Sequence, residues 1–269
     1  MITHLIHHGL WRVRALLAIP PRSPAEAVWR LRHLRQTAPG RPGTLAWAGR
    51  RLAYADGPAA FQQLNEIFSA RVYDFVTSAP APRIIDCGAH TGFAVLRWRE
   101  LYPAARITAI EADAGIAKLL RENLAAWPDP QTEVLAAAAW TSDGEIRFAP
   151  TGRDNGHLSP DGSRVIPAVD LARLCSEPVD LLKMDIEGAE APVIAHLAAT
   201  GALRRVRALL CEWHEWEGPP QLHTALAHLA AAGFIYRLVH ADTLGDTTTA
   251  VFPQLRHPGN QLMIYAWQP

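Results

Sequence analysis

At 269 residues with 49% apolar side chains, the chain is long enough for one large domain with a buried core and a small appendage. Its 26 basic and 26 acidic residues cancel, which argues against recognition of nucleic acid or an anionic surface through overall charge. No stretch reaches the ~20 apolar residues of a membrane span, and Cys87, Cys175 and Cys211, far apart in apolar surroundings, suggest neither a disulfide framework nor a thiolate metal site.

The first 51 residues hold nine arginines against one acid, Glu26, so the rest of the chain is net acidic. Arg12 and Arg14 interrupt the apolar run near the start in a way that a signal-peptide core would not be interrupted, and a cytoplasmic protein is expected. Two short amphipathic helices are predicted over 3–18 and 24–36, with Ser23 as N-cap before Pro24. "GTLAWAGRRLAYAD" alternates on either side of Gly49-Arg50, a hairpin signal. "FQQLNEIFSARVYDFV" then places Phe61, Leu64, Ile67, Phe68, Val72 and Phe75 on one helical face. Residues 1–60 therefore read as an accessory element of helices and hairpin, and residues 61–269 as the main domain.

From residue 83 a short apolar strand, a turn and a helical stretch recur. "RIIDCG" precedes "GFAVLRWRELYP", "RITAIEAD" precedes "GIAKLLRENLAAW", "TEVLAAAAW" precedes a hairpin-like "SDGEIRF", and "VDLLKMDIEG" precedes "APVIAHLAATG". Such alternation implies an α/β fold, a mostly parallel sheet with helices on both faces. "VRALLCEWH", "GFIYRLVH" and "NQLMIYAWQP" are three further strands, the last two suited to an antiparallel edge pair.

Ligands of open α/β sheets bind beyond the carboxyl ends of the strands, where "IIDCGAHTG" lies. Gly88 and Gly92 allow close backbone approach, and a helix starting near Phe93 aims its first amides at a ligand. The spacing D-x-G-x-x-x-G differs from the G-x-G-x-x-G that admits a pyrophosphate. Asp86 beside the turn repels phosphate and suits a cationic amino-acid end, while Glu111, ending the next strand, can accept both hydroxyls of a ribose. A ribose without a pyrophosphate, joined to an ammonium and a sulfonium, describes S-adenosylmethionine.

In "VDLLKMDIEGAE", alternation puts Lys183 and Asp185 on one side of the strand, with Glu187 just past its end, Gly188 allowing the turn, and Glu190 in the first helical turn, where an acid meets the dipole favourably. Glu212 and His214 share a face of the next strand and converge with Asp185 if the two strands are neighbours. Asp185, Glu212 and His214 also suit a divalent ion, an alternative to a metal-free site.

Taken in order, "IIDCGAHTG", "ITAIEAD", "AAAAWTSDGEIRF", "VDLLKMDIEGAE" and "LLCEWH" resemble the FkbM family of S-adenosylmethionine-dependent methyltransferases over about residues 45–215. The resemblance implies a class I methyltransferase (Rossmann-like) fold, with a seven-stranded, mostly parallel sheet whose last strand is antiparallel. It also implies O-methylation of a small-molecule acceptor, a sugar or natural product. His90 and Ala112 stand where the family usually has Asn and Pro. The cofactor-binding set is then Asp86, Gly88, His90, Gly92 and Glu111, with Ala139 and Trp140 near the adenine by position. The catalytic set is Asp185, His214, Glu212, Lys183 and Glu187: His214 as base oriented by Asp185 or Glu212, and Lys183 to hold substrate or balance the acids.

Three alternatives accompany that reading: N- or carboxyl-methylation on the same fold, a nicotinamide oxidoreductase disfavoured by the glycine spacing, and a non-catalytic module whose basic arm binds membrane or RNA. The N-terminal helices are also expected to support a homodimer, and the loop "ADTLGDTTTAVFPQLRHPGN" to cover the site.

Overall fold

The computed structural model describes residues 11–12, 14–15, 21–127, 131–150, 156–215, 221–240 and 260–269. Most of the helix expected over 3–18 and nearly all of the expected covering loop lie outside them. By internal contacts the chain divides into Met1–Asp74 and Phe75–Pro269.

In the first unit, Ser23 Oγ accepts the amide of Glu26 at 3.2 Å and caps α1 (Pro24–Arg30), an N-cap worth about 1 kcal/mol. The helix passes into a 3-10 turn, Arg32–Gln36, rather than continuing as α to 36. Glu26, 1% exposed, accepts the amide of Arg22 at 2.9 Å and pairs with Arg14 at 3.2 Å and Arg30 at 2.5 Å. Burial alone raises its carboxyl's pKa, but these donors hold it below the ordinary value. Two of the nine arginines thus serve an internal acid.

Strands β1 (Gly43–Trp47) and β2 (Arg50–Tyr54) form the hairpin, with Trp47 opposite Arg50 and the two-residue turn at Ala48-Gly49, one position earlier than the alternation suggests. Both turn residues have positive φ, 47° and 76°, which matches the twist of the flanking strands. Helix α2 (Gly57–Leu64), capped by Asp56, runs into a π-helical segment, Asn65–Ala70. Arg71, left-handed at φ 62°, stops the helix, so Val72 and Phe75 fall beyond the face they were expected to share.

The second unit begins its sheet with β3 (Arg83–Cys87), followed by α3 (Phe93–Leu101), β4 (Arg106–Glu111), α4 (Ala114–Ala125) and β5 (Thr132–Ala136). The segment expected as one strand, 132–140, is instead two. It breaks at Ala137, and β6 (Ala138–Trp140) joins β7 (Gly144–Ala149), β8 (His157–Leu158) and β9 (Arg164–Asp170) in a second, four-stranded sheet of order β6-β9-β7-β8. Its small core is Ala138, Phe148, Ile166 and Ala168. The chain then returns through α5 (Leu171–Leu174), β10 (Val179–Met184), α6 (Glu190–Ala199), β11 (Val206–Glu215), α7 (Leu222–Ala231), β12 (Ile235–His240) and β13 (Asn260–Trp267).

The seven strands lie in the order β12-β13-β11-β10-β3-β4-β5, β13 antiparallel to both its neighbours and the remaining pairs parallel. Ile85, Cys87, Leu182, Met184, Leu209 and Cys211 point to one face and form a core with Val193, Leu197 and Leu229 of α6 and α7, each such side chain contributing about 2 kcal/mol. Alternation sends Asp86 and Lys183 to the opposite face. From β3 the chain adds strands outward through β4 and β5 and then returns to the other side of β3 as β10. The order therefore reverses between β3 and β10, where an α/β sheet opens a crevice at its carboxyl edge. Among the described residues no helix is long and apolar enough to cross a membrane.

Candidate active site

The crevice is built first by the turn after β3. Gly88, at φ 78°, donates its amide to Ile110 O at 2.9 Å, and a Cβ there would stand 1.8 Å from the carbonyl oxygen of Asp185. Only glycine lets β3 and the end of β10 approach so closely. Gly92, at φ 89°, starts α3, and a Cβ on it would meet Leu120 at 2.4 Å. Between them His90 also has positive φ, 49°. The buried amide of Asn123 donates to Thr91 O at 2.8 Å and fastens the turn to α4.

Glu111, at the end of β4, closes one side. Its Oε2 accepts the amide of His90 and its Oε1 that of Asp113, each at 2.8 Å. Burial raises its pKa to about 7, against the lowering effect of these two amides. The amide of Ala137 donates to the Glu111 carbonyl at 3.0 Å, which ties the β5–β6 junction to the same corner.

Behind the turn, Lys183 and Asp86 are register partners on parallel strands, so their side chains meet on one face. Nζ lies 3.3 Å from Asp86 Oδ1 and 3.5 Å from Asp185 Oδ2, and donates to Gly88 O at 2.7 Å and Cys87 O at 3.4 Å. Burial works against the lysine's charge, but Asp86, Asp185 and Glu212 outweigh it and hold the pKa above the ordinary range. Burial raises the Asp86 pKa, restrained by Lys183. Asp86 is fully buried, so the cation it faces is internal, and Lys183 balances the acids and braces the turn.

The second turn, after β10, carries the remaining charges. Glu187 adopts φ 55° and Gly188 φ 97°. Glu190, fully buried at the start of α6, accepts the amides of Ile186 at 3.0 Å and Gly188 at 2.9 Å. Because β11 lies beside β10, His214 reaches this turn: Nδ1 is 3.1 Å from Glu190 Oε1, and Nε2 is 3.8 Å from Glu187 and 4.0 Å from Glu212. Burial opposes protonation of the ring, but Glu190, Asp185 and Glu187 overcome it and raise the pKa to about 10.

The structure thus gathers Asp86, Gly88, His90, Gly92 and Glu111 in one corner and Lys183, Asp185, Glu187, Glu212 and His214 in the adjoining one. Ala139 and Trp140 follow the β5–β6 junction on β6, where Ala139 is buried in the main core and Trp140 packs against the cores of both sheets. Glu190, rather than Asp185 or Glu212, orients His214. The available signal was its place three residues after Glu187, on the first turn of a helix whose start has no side-chain cap. Cys87, Cys175 and Cys211 are free and buried, with burial raising each thiol's pKa, that of Cys175 to about 12, which leaves them inert.

The 2-O-methyltransferase NoeI of Sinorhizobium fredii is 29% identical over 163 residues, which cover 51% of this chain and 65% of that protein. This chain therefore spans just under two-thirds of the curated relative's length. Methyltransferase FkbM from Methylobacillus flagellatus KT superposes with a TM-score of 0.50 at 13% identity, over 88% of this chain and 58% of that chain, and a likeness at that identity speaks to the fold alone. Residues 86–236, more than half of the chain, match the Methyltransferase FkbM domain, from the acid beside the glycine turn to the twelfth strand. The protein belongs to the FkbM methyltransferase family.

Proposed function

We propose that the larger unit is a class I, S-adenosylmethionine-dependent methyltransferase that methylates a hydroxyl oxygen on a sugar or sugar-bearing natural product. The observation that carries this reading is the corner formed by Gly88, His90 and Glu111. The turn has no room for a side chain at Gly88, and each Glu111 oxygen accepts one amide and keeps capacity for a second hydrogen bond. A ribose diol fits that remaining capacity, and an acid at this place disfavours a pyrophosphate. The 2-O-methylation for which the Sinorhizobium relative is named supports oxygen as the acceptor atom.

When bound, S-adenosylmethionine supplies an electrophilic methyl, whose bond to sulfur breaks with its electron pair left on sulfur as the bond to the acceptor oxygen forms. The protein's part is to place the hydroxyl in line with that carbon and take up its proton. The sequence suggests His214 as the base, and the acids around it raise its pKa to about 10, which favours the charged ring. The partly exposed carboxylates of Asp185, Glu187 and Glu212, whose side chains are 26%, 15% and 19% exposed, stand beside it as further proton acceptors.

The test is a screen with methyl-labelled cofactor and mass detection against glycosides, amines and carboxylic acids. Label appearing on a hydroxyl of a sugar supports the reading. Label confined to nitrogen or carboxylate overturns its oxygen specificity, and cofactor binding without transfer to any class favours a non-catalytic module.

A further inference from the structure

The balanced charge of the whole chain hides an uneven division. Met1–Asp74 hold ten arginines and four acids, a net +6, and the remaining residues carry the compensating −6. The four acids are all engaged inside the unit: Glu26 pairs with Arg14 and Arg30, Asp56 caps α2, Glu66 accepts the side-chain amide of Gln62 at 3.0 Å, and Asp74 pairs with Arg71 at 2.6 Å. None of the four is exposed. Arg12, Arg22, Arg32, Arg35, Arg41 and Arg51 are all exposed, and among the described residues none of these six pairs with an acid. The unit therefore attracts anions, with no exposed carboxylate among its described residues to compete for the arginines.

Three of the six share a ridge with two tryptophans. A 3-10 helix eclipses side chains three residues apart, so Arg32 and Arg35 stand on one edge of the turn Arg32–Gln36. The Arg32 guanidinium lies 3.8 Å over the ring of Trp29, in the last turn of α1, and Trp11, next to Arg12, meets that ring edge-on at 5.7 Å. Arg35 faces the Phe61 ring at 5.7 Å. Like charges one turn apart repel, and here they lean on aromatic faces instead of on acids. Stacking occupies the face of a guanidinium and leaves in-plane N–H donors for phosphate oxygens. Both indoles are partly exposed. Tryptophan beside arginine suits the headgroup region of a bilayer, where the indole sits at the apolar boundary and the guanidinium meets phosphate. A single-stranded nucleic acid would instead need open ring faces on which to stack its bases, and Arg32 covers a face of Trp29.

We propose that the ridge of Trp11, Arg12, Trp29, Arg32 and Arg35 docks this unit peripherally onto a bilayer that carries anionic phospholipid headgroups. The charge complementarity is local to Met1–Asp74, which is why the neutral total of the chain does not reveal it. The docking surface does not rest on the methyl-transfer reading.

The full chain is sedimented with vesicles of phosphatidylglycerol and phosphatidylcholine in about a 3:7 ratio, and with vesicles of phosphatidylcholine alone. Binding is expected on the first only, and is lost as sodium chloride rises from about 0.05 to about 0.5 M. Each arginine at an anionic surface is worth about fivefold in partitioning, so R12Q/R32Q/R35Q should weaken binding about a hundredfold. R41Q/R51Q, which removes two arginines at the hairpin, should cost less than about threefold and controls for bulk charge. Brominated phosphatidylglycerol should quench tryptophan fluorescence of the wild-type chain, and quench it less in W11F/W29F. No binding to anionic vesicles at low salt, equal binding to neutral vesicles, or equal binding by R12Q/R32Q/R35Q and the wild-type chain would overturn the proposal. A single-stranded RNA bound through these arginines while anionic vesicles are not bound would make the partner a nucleic acid and overturn it too. S-adenosylhomocysteine binding is measured on the same samples. If it persists where vesicles do not bind, the docking surface falls and the methyltransferase reading stands; if it is absent where they bind, the reverse holds.

Discussion

Replacing Lys183 by methionine isolates the electrostatics beneath the crevice. The substitution keeps the stem and removes a cation 3.3 Å from Asp86 and 3.5 Å from Asp185, together with donors to Gly88 O and Cys87 O. Unit charges 3.3 Å apart attract by about 5 kcal/mol at an effective dielectric of ~20, and removing one member of a buried pair commonly costs about 3–5 kcal/mol. That is a large share of the ~5–15 kcal/mol that holds a domain together. The loss depends on pH. Burial already raises the Asp86 pKa and Lys183 restrains it, so in K183M it climbs further. A carboxyl with a raised folded pKa contributes stability that is complete below its unfolded value of about 3.9 and is lost as pH rises through the folded value. The deficit of K183M relative to the wild-type chain should therefore be small near pH 4 and widen toward pH 8. Urea unfolding followed by tryptophan fluorescence at several pH values reads it. The double variant D86N/K183M should recover about half of the loss, and it remains informative if K183M alone does not fold. A deficit under about 1 kcal/mol at pH 7, or one independent of pH, would refute the assignment of Lys183 as the counter-ion that permits Asp86 to be buried.

Gly88→Ala forces a Cβ against the Asp185 carbonyl at φ 78°; the folded variant should lose at least about tenfold in S-adenosylhomocysteine affinity by calorimetry, a drop of about 1.4 kcal/mol, and unchanged affinity would mean that the turn does not contact the ligand. Glu111, with its pKa raised by burial to about 7, gives the wild-type chain stability that is present below about pH 4.5 and lost as pH rises through 7. E111Q should lack that slope, so the stability difference between the two changes across this window by about 2–3 kcal/mol; parallel curves would contradict the burial argument. In the first unit, Ala48 occupies a left-handed position in a two-residue hairpin turn. A48N should raise the melting temperature by the equivalent of about 0.5–1 kcal/mol, and a fall would place the turn elsewhere.

Residues whose pattern is local were legible in the sequence. Ser23-Pro24 announces α1, the alternation about Gly49 announces the hairpin to within one position, and the acid, the glycines and Glu111 are legible because strand ends and tight turns have sequence signatures. What was not legible depends on distant pairing. The run 132–140 is uniformly small and apolar, so nothing in it marks the break at Ala137 that sends Trp140 into a second sheet. Glu190 looked like an ordinary first-turn acid because its partners, two amides that precede it and a histidine on the next strand, meet only once β10 and β11 are adjacent. The raised pKa of His214 is not legible for the same reason: it comes from Glu190, Asp185 and Glu187, which no spacing rule sums.

If the turn after β3 and Glu111 together hold S-adenosylmethionine, calorimetric titration of the purified chain with S-adenosylhomocysteine shows it. One site per chain is predicted, weakened at least about tenfold in E111A and accompanied by no binding of NAD. No heat of binding, or affinity equal in the wild-type chain and E111A, would contradict it.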